Sequence, residues 1–150
     1  IRNCDWSSDV CSSDLPVQIE IKNYPFEHGF EPDHRLALEA AERARPGDII
    51  TSSNPKTLET VRRVFPEVPT GLIVEGSSSL EEAVDGCIQA GHSSVVAERG
   101  MVTEVVRFEI ETYVWTVNEP SEAIELAQLG VSGIITDDAP AIADALRDDQ

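Results

Sequence analysis

The segment at residues 17–22, VQIEIK, places an acid and an amine on the same face of a predicted strand. Alternate side chains of a strand point to opposite sides, so Glu20 and Lys22 share a face with Gln18, while the other face is apolar. A carboxylate and an ammonium inside a barrel are costly unless they pair or serve a site. The spacing therefore indicates a functional pair, a structural ion pair, or the solvated edge of an antiparallel sheet.

Polar residues also follow the ends of other predicted strands. They are Thr51, Ser52, Ser53 and Asn54, then Thr116 and Asn118, and finally Thr136, Asp137 and Asp138. In a barrel or an open α/β sheet, sites are built at these carboxyl ends. Helix capping and turn chemistry are the competing explanations, and we favour capping for Asn54. Trp115 lies within a predicted strand, where it either lines a pocket or fills the barrel.

The histidines and cysteines show no metal-binding spacing. His28 and His34 fall in or beside a Pro- and Gly-rich loop, His34 is expected to begin a helix, and His92 follows a glycine in a turn. No HExxH or CxxC pattern is present. Cys87 lies in a helical pattern and is predicted to be a small core residue.

Short apolar runs alternate with helical patterns from residue 16 onward. The strands are predicted at 17–22, 48–52, 71–74, 94–97, 112–117 and 133–136, and the helices at 33–45, 55–65, 79–90, 100–110, 120–129 and 139–147. Val and Ile dominate most of these strands, as in buried parallel sheets. The alternation predicts α/β architecture with a parallel sheet, either a barrel or a doubly wound sheet. No Gly-rich phosphate-binding motif follows any strand, so nucleotide binding of that kind has no support.

Capping residues mark several helix boundaries. They are Asn54 before Pro55, Ser79 with Glu82 in a capping box, Asn118 or Glu119 before Pro120, and Gly130 after the last residue of that helix. Each places a hydrogen-bonding side chain, a proline or a glycine where a helix end requires one.

The length and charge of the chain limit its interpretation. It has 150 residues and a net charge of −17, from 28 acidic and 11 basic residues. A complete (β/α)₈ barrel needs about 250 residues, so a barrel here would be incomplete. The charge argues against nucleic acid and anionic membrane surfaces as partners, and an anionic substrate would need a metal or a local cation to attract it. No apolar run approaches the roughly 18 residues that span a membrane, and no signal peptide is visible.

Residues 1–15 are expected to be artefactual or disordered. Residues 5–15, DWSSDVCSSDL, have no helical or strand period and match the translation of a common sequencing-library adapter. We therefore leave residues 1–15 out of the fold prediction, and residues 16–150 form the predicted domain.

Three segments resemble the glycerophosphodiester phosphodiesterase family. VQIEIKN (17–23) is similar to a family strand that reads roughly (V/L)NIEIK, and TSSNPKTLETVRRVFPEVPTGLIV (51–74) resembles the SSFNP…TGLL stretch that follows it. VWTVNEPSEAIELAQLGVSGIITDDAP (114–140) resembles the family's VWTVN…GVDGIITD ending. The resemblance covers residues 16–150 in the family's order.

The resemblance implies a fold, a reaction and site residues. The fold would be the C-terminal βα units of a TIM (β/α)₈ barrel. The reaction would be metal-dependent hydrolysis of glycerophosphodiesters, such as deacylated phospholipids, to glycerol 3-phosphate and an alcohol. Glu20 matches the family's metal-binding glutamate, Lys22 its phosphate-contacting lysine, and Trp115 the aromatic that borders the substrate pocket. The metal would be Ca²⁺ or Mg²⁺, and Asn118 and Asp137 would be mainly structural.

The family's histidine motifs have no counterpart in this sequence. The resemblance assigns acid–base work to two histidines in HRG- and HD-like motifs that precede the IEIK strand, with ExD carboxylates completing the metal site. No histidine here matches them, so we expect this chain to be inactive. We also expect it to be poorly folded, because a fragment of a barrel leaves two open parallel edges and uncovered apolar surface. Three further positions differ from the family pattern: Ala97-Glu98 for His-Pro, Ser53 for Phe, and Ser132 for Asp.

Other interpretations remain open at this point. The chain could belong to a related phospholipase-type phosphodiesterase, to a catalytically silent barrel that binds phosphoesters or a partner protein, or to another α/β protein with a structural Glu20–Lys22 pair. We expect a small-molecule partner, no nucleic acid and no integral membrane segment. The expected compartment is the cytoplasm, although a secretory signal could precede this sequence.

Overall fold

The computed structural model describes residues 15–76, 79–102 and 109–148. Six strands form one sheet in chain order, and every neighbouring pair is parallel. The strands are β1 Gln18–Glu20, β2 Ile49–Ser52, β3 Thr70–Val74, β4 Ser94–Glu98, β5 Glu111–Trp115 and β6 Gly133–Ile134. The sheet curls into an open half-barrel with helices, which confirms the predicted α/β partial TIM barrel.

Five α-helices connect or follow the strands. They are α1 Arg35–Glu42, α2 Pro55–Val64, α3 Leu80–Ala90, α4 Pro120–Leu129 and α5 Ala139–Asp148. The side chain of Asn54 accepts a hydrogen bond from the Lys56 N–H, and that of Ser79 accepts one from the Glu82 N–H. These bonds satisfy N–H groups that lack partners within the helix, and they confirm both predicted caps. Gly130 ends α4 in the left-handed conformation that glycine tolerates best, with φ of 92°.

The two faces of the curled sheet have different chemistry. Side chains on the convex face pack against the helices in two hydrophobic clusters. One cluster joins Ile21 and Ile50 to Leu58 and Val61, and the other lies under α3, α4 and α5. Because side chains alternate along each strand, these apolar residues leave their neighbours facing the concave side.

The predicted helix at residues 100–110 is wrong where the structure describes it. Arg99–Met101 form a single turn of 3₁₀-helix, and Val102 that follows is extended, with φ of −93° and ψ of 95°. Glu109 and Ile110 form a bend before β5, and residues 103–108 lie outside the described residues. A β-branched residue such as Val102 favours extended backbone over a helix, a preference that the prediction underweighted.

The sheet has two outermost strands, β1 and β6, among the residues that the structure describes. A complete barrel has eight strands, so six strands in chain order leave it open, as expected. The prediction for residues 1–15 remains a prediction, because residues 1–14 lie outside the described part. None of the described helices has the length and apolar character to cross a membrane.

Candidate active site

A cavity of about 380 Å³ opens on the concave face, at the carboxyl ends of the strands. Each of the six strands, or the residues directly after it, contributes to the lining. The lining residues are Gln18, Glu20, Lys22, Tyr24, Ser53, Ile73, Glu75, Val96, Trp115, Thr116 and Ile135. The structure thus brings Trp115 together with Glu20 and Lys22, from which it is separated by more than ninety positions in the sequence.

Glu20 and Lys22 lie beside each other on the concave face. Lys22 Nζ is 4.0 Å from Glu20 Oε1, and the two side chains are 71% and 43% exposed, respectively. An ion pair this exposed contributes little to stability, on the order of 0–1 kcal/mol. Both groups therefore remain available to a ligand, and the solvated antiparallel edge considered above is excluded because β1 pairs in parallel with β2.

The backbone between Glu20 and Lys22 is held by two hydrogen bonds to β2. The Ile21 N–H donates to the Thr51 carbonyl at 2.7 Å, and the Ser52 hydroxyl donates to the Ile21 carbonyl at 2.7 Å. The Ile21 side chain is buried among residues of the α1 and α2 helices. Since this residue is anchored on the convex face, its two neighbours must point into the cavity.

Trp115 lies at the end of β5, and its indole reaches across the neighbouring strand. The indole Nε1–H donates to the Val96 carbonyl at 3.2 Å, which orients the ring over β4. The peptide bond between Trp115 and Thr116 is cis. The ring is only partly buried, so it borders the cavity.

Glu75 and Tyr24 are cavity residues that the sequence analysis missed. Glu75 directly follows β3, two positions after Ile73, which also lines the cavity. The signal was present, because a carboxylate stood directly after the apolar run GLIV. Tyr24 lies two positions after Lys22. Because β1 has ended by then, the alternation of side chains along a strand no longer predicts which way the Tyr24 side chain points.

Asn54 and Asn118 tie strand ends together outside the cavity. Asn54 caps α2, and its Nδ2 donates to the Asn23 carbonyl at 2.7 Å. Asn118 does not cap α4: Glu119 holds the N-cap position, without a side-chain bond. Instead, Asn118 Nδ2 donates to Asp137 Oδ2 at 2.9 Å, across the ends of β5 and β6. The capping explanation for Asn118 is therefore wrong.

The three histidines lie away from the cavity lining. His28 is exposed in the loop after β1. His34 begins α1 and its Nδ1 lies 3.0 Å from Thr57 Oγ1. His92 is buried at the opposite, amino end of the sheet, with Nδ1 2.9 Å from the Thr70 hydroxyl. Burial, with the Arg62 charge, lowers the pKa of His92 below its usual 6.5.

Cys87 is fully buried in the hydrophobic cluster under α3. Burial raises the pKa of its thiol to about 11. The predicted core role of Cys87 is confirmed.

The described residues do not by themselves form a metal site. No group of three or more histidine, cysteine, aspartate or glutamate side chains lies close enough to hold an ion within residues 15–76, 79–102 and 109–148. Ca²⁺ takes six to eight oxygen ligands, whereas the cavity offers the carboxylates of Glu20 and Glu75. The chemistry of Glu20 suits a hard cation, but further ligands would be needed.

Comparisons with known proteins agree on one family. The profile of the glycerophosphoryl diester phosphodiesterase family matches residues 12–141. A Bacillus subtilis (strain 168) protein, provisionally named a glycerophosphodiester phosphodiesterase, is 23% identical over 131 residues, which cover 82% of this chain and 53% of that protein. This chain thus spans about half the length of that relative.

Solved structures share the fold at lower identity. A glycerophosphodiester phosphodiesterase from Parabacteroides distasonis superimposes with a TM-score of 0.73 at 16% identity, covering 91% of this chain and 59% of that one. An Oleispira antarctica phosphodiesterase, solved in complex with the product sn-glycerol-3-phosphate, gives a TM-score of 0.63 at 17% identity, covering 76% and 49%. At these identities, the likeness establishes the fold alone.

Proposed function

This chain belongs to the glycerophosphoryl diester phosphodiesterase family, and on that premise we propose that its cavity forms part of a phosphodiesterase active site. The reaction would be hydrolysis of a glycerophosphodiester to glycerol 3-phosphate and an alcohol. The observation that carries the proposal is that Glu20, Lys22 and Trp115 line one cavity at the carboxyl ends of parallel strands. This is the end of a barrel where active sites are built.

Lys22 is proposed to bind the phosphate of the substrate. Its ammonium is a compact point charge on a flexible stem, and it is 71% exposed within reach of the cavity. With a net charge of −17 on the chain, a local cation is needed to attract an anionic phosphodiester. When no substrate is bound, Glu20 would hold the Lys22 ammonium in position.

Glu20 is proposed to be one oxygen ligand of a Ca²⁺ or Mg²⁺ ion. The remaining oxygen ligands would come from residues other than those that the structure describes around the cavity. When bound, the ion would neutralise charge that develops on the phosphoryl oxygens. Glu20 can leave Lys22 for the ion because their exposed pair is weak.

We propose that this chain alone does not hydrolyse the substrate. No imidazole lines the cavity in the described part of the chain, so no histidine there can transfer a proton at the scissile bond. The same observation favours the second candidate, a catalytically silent barrel that binds phosphoesters. Another alternative is a related phospholipase-type phosphodiesterase, which would use the same cavity as the proposed glycerophosphodiester hydrolysis.

A binding experiment on the chain tests the phosphate site. The chain contains two lysines, Lys22 and Lys56, and Lys56 lies exposed on α2, away from the cavity lining. We expect Lys22→Met to weaken binding of sn-glycerol 3-phosphate by about tenfold, since about 1.4 kcal/mol corresponds to tenfold. Lys56→Met changes the net charge equally and should have no effect. Equal losses in both variants would refute a phosphate site at Lys22.

An activity experiment separates the enzyme from the silent barrel. The chain would be joined to the N-terminal half of a family relative that supplies the histidine motifs and the other strands. Release of glycerol 3-phosphate from glycerophosphocholine would be measured with Ca²⁺ or Mg²⁺. We expect activity that Glu20→Gln abolishes and that Glu59→Gln, on the outer face of α2, leaves intact. Full activity with Glu20→Gln would exclude the metal role, and phosphate binding without turnover would favour the silent barrel.

A further inference from the structure

The cavity lining combines a carboxylate with two aromatic rings. Glu75, at the end of β3, lines the cavity together with Tyr24 and Trp115. Carboxylates and aromatic faces share one preference, because both attract cations. A ligand group that satisfies both is an ammonium or a quaternary ammonium.

The two carboxylates of the cavity, Glu20 and Glu75, differ in whether a cation lies beside them. The carboxylate of Glu20 has the Lys22 ammonium 4.0 Å away. Glu75 is exposed and has no cationic partner among the ion pairs of the described residues. No ion pair in this part of the chain therefore offsets the charge of Glu75.

A second carboxylate strengthens the negative potential beside Glu75. On the neighbouring strand, Glu98 Oε2 accepts a hydrogen bond from the Gly76 N–H at 3.0 Å. This bond fixes the Glu98 charge next to the backbone that follows Glu75. Arg99, the residue after Glu98, pairs instead with Glu122 and Glu125 on α4, at 3.6 and 4.0 Å.

The orientation of Trp115 keeps an aromatic surface on this side. Its Nε1–H donates to the Val96 carbonyl on β4, the strand between β5 and β3. The indole thus extends from β5 towards the strand that carries Glu75. Among aromatic side chains, tryptophan attracts a cation to its ring face most strongly.

We infer that Glu75, with Trp115 and Tyr24, forms a subsite for a positively charged alcohol group of the substrate, an ammonium or trimethylammonium. The inference rests on the proposed function, because Lys22 would hold the phosphate of the same molecule. Two strand spacings, about 10 Å, separate β1 from β3. Side chains that reach inward from both strands shorten that span to one that a phosphate and an ammonium joined by two carbons can bridge.

The arrangement also disfavours substrates with an anionic alcohol group. Such a group would meet the Glu75 carboxylate without a cation to offset it, and like charges that lose water repel strongly. A neutral alcohol such as glycerol could donate a hydrogen bond to Glu75 but would gain no attraction between opposite charges. Substrate choice would therefore follow the charge of the alcohol, in the order cationic, neutral and anionic.

The direct test titrates the chain with two separate probes. Tetramethylammonium probes the Glu75 subsite, and sn-glycerol 3-phosphate probes the Lys22 site. Trp115 fluorescence is the readout in a Trp6→Phe background, because these are the chain's two tryptophans. We expect saturable tetramethylammonium binding that Glu75→Gln weakens by about tenfold, while glycerol 3-phosphate binding stays within about twofold or tightens.

The control Glu59→Gln removes the same charge from the outer face of α2 and should change neither titration. Absence of tetramethylammonium binding, or equal weakening by Glu75→Gln and Glu59→Gln, overturns the subsite. Loss of glycerol 3-phosphate binding at an intact tetramethylammonium site would instead count against the phosphate site of the proposed function. The two failures are thus distinguishable.

The assembled enzyme provides a second measurement. The ratio of kcat/KM for glycerophosphocholine to that for glycerophosphoglycerol should fall about tenfold in Glu75→Gln, mainly through KM for the choline substrate. Hydrolysis of the glycerol substrate is measured in the same variant, because a general loss of activity would lower both values and leave the ratio unchanged. If both substrates are hydrolysed and Glu75→Gln leaves the ratio unchanged, the subsite is refuted while the phosphodiesterase assignment stands.

Discussion

The side chain of Asn118 joins the ends of β5 and β6 through Asp137. Asn118 Nδ2 donates to Asp137 Oδ2 at 2.9 Å, and Asn118 Oδ1 accepts from the Asp137 N–H at 2.9 Å and from the Thr136 hydroxyl at 3.0 Å. β6 has only two residues, Gly133–Ile134, and pairs with β5 over a short ladder of backbone hydrogen bonds. The bonds of Asn118 therefore add further links between β5 and β6 beyond that ladder.

Asn118→Ala should destabilise the chain measurably. Three hydrogen bonds are lost, but the site is exposed, so water replaces much of their contribution and we expect about 1 kcal/mol. The free energy of unfolding in urea provides the measurement. Glu119→Ala is the matched control, because Glu119 makes no side-chain cap bond; equal effects of the two changes would contradict the role of Asn118.

Asp48 should make the free energy of unfolding fall at acidic pH. The N–H of Arg45 donates to its carboxylate at 2.8 Å and that of Val17 at 2.9 Å. The hydrogen bonds from Arg45 and Val17 lower the pKa of Asp48 below its usual 3.8. A carboxyl whose pKa is lower in the folded state stabilises the fold above its unfolded pKa, and this stability is lost as the pH falls through the folded pKa.

Urea unfolding between about pH 6 and pH 2 tests this dependence. Asp48→Asn should lower the unfolding midpoint at pH 6 and flatten the loss below pH 4. An unchanged acid profile in Asp48→Asn would show that other carboxyl groups cause the decline.

His92 should make the free energy of unfolding depend on pH in a range above that of Asp48. Its pKa lies below the usual 6.5, chiefly because of burial, so the folded state favours the neutral imidazole. The corresponding stability is complete above pH 6.5 and is lost as the pH falls below that value towards the folded pKa. We expect His92→Gln to weaken the dependence of the unfolding free energy on pH in this range. His28→Gln, at an exposed position, serves as the control and should leave this dependence unchanged.

Cys87 should resist thiol reagents in the folded chain. Its side chain is fully buried and its pKa is raised to about 11, and the thiolate is the reactive form. In a Cys4→Ser, Cys11→Ser background, labelling at neutral pH should be slow until urea unfolds the chain. Rapid labelling without denaturant would show that α3 opens locally.

The sequence by itself determined the order and type of most elements. Val- and Ile-rich runs predicted all six strands, and local capping residues such as Asn54 and Ser79 marked helix starts, because these signals act within a few residues. The same local reasoning failed at residues 100–102 and 109–110, the described ends of the predicted helix at 100–110. The alternation around Ile21 also predicted that Glu20 and Lys22 share a face.

Only the tertiary structure decided which distant side chains meet. Glu75 and Trp115 come from different strands, and their place in one cavity depends on the parallel order β3–β4–β5 and on the curl of the sheet. The bonds of Asn118 to Asp137 likewise depend on β6 lying beside β5. Sequence spacing encodes the face on which a side chain lies, but contacts across a sheet depend on strand pairing and curvature, which arise when the helices pack on the convex face.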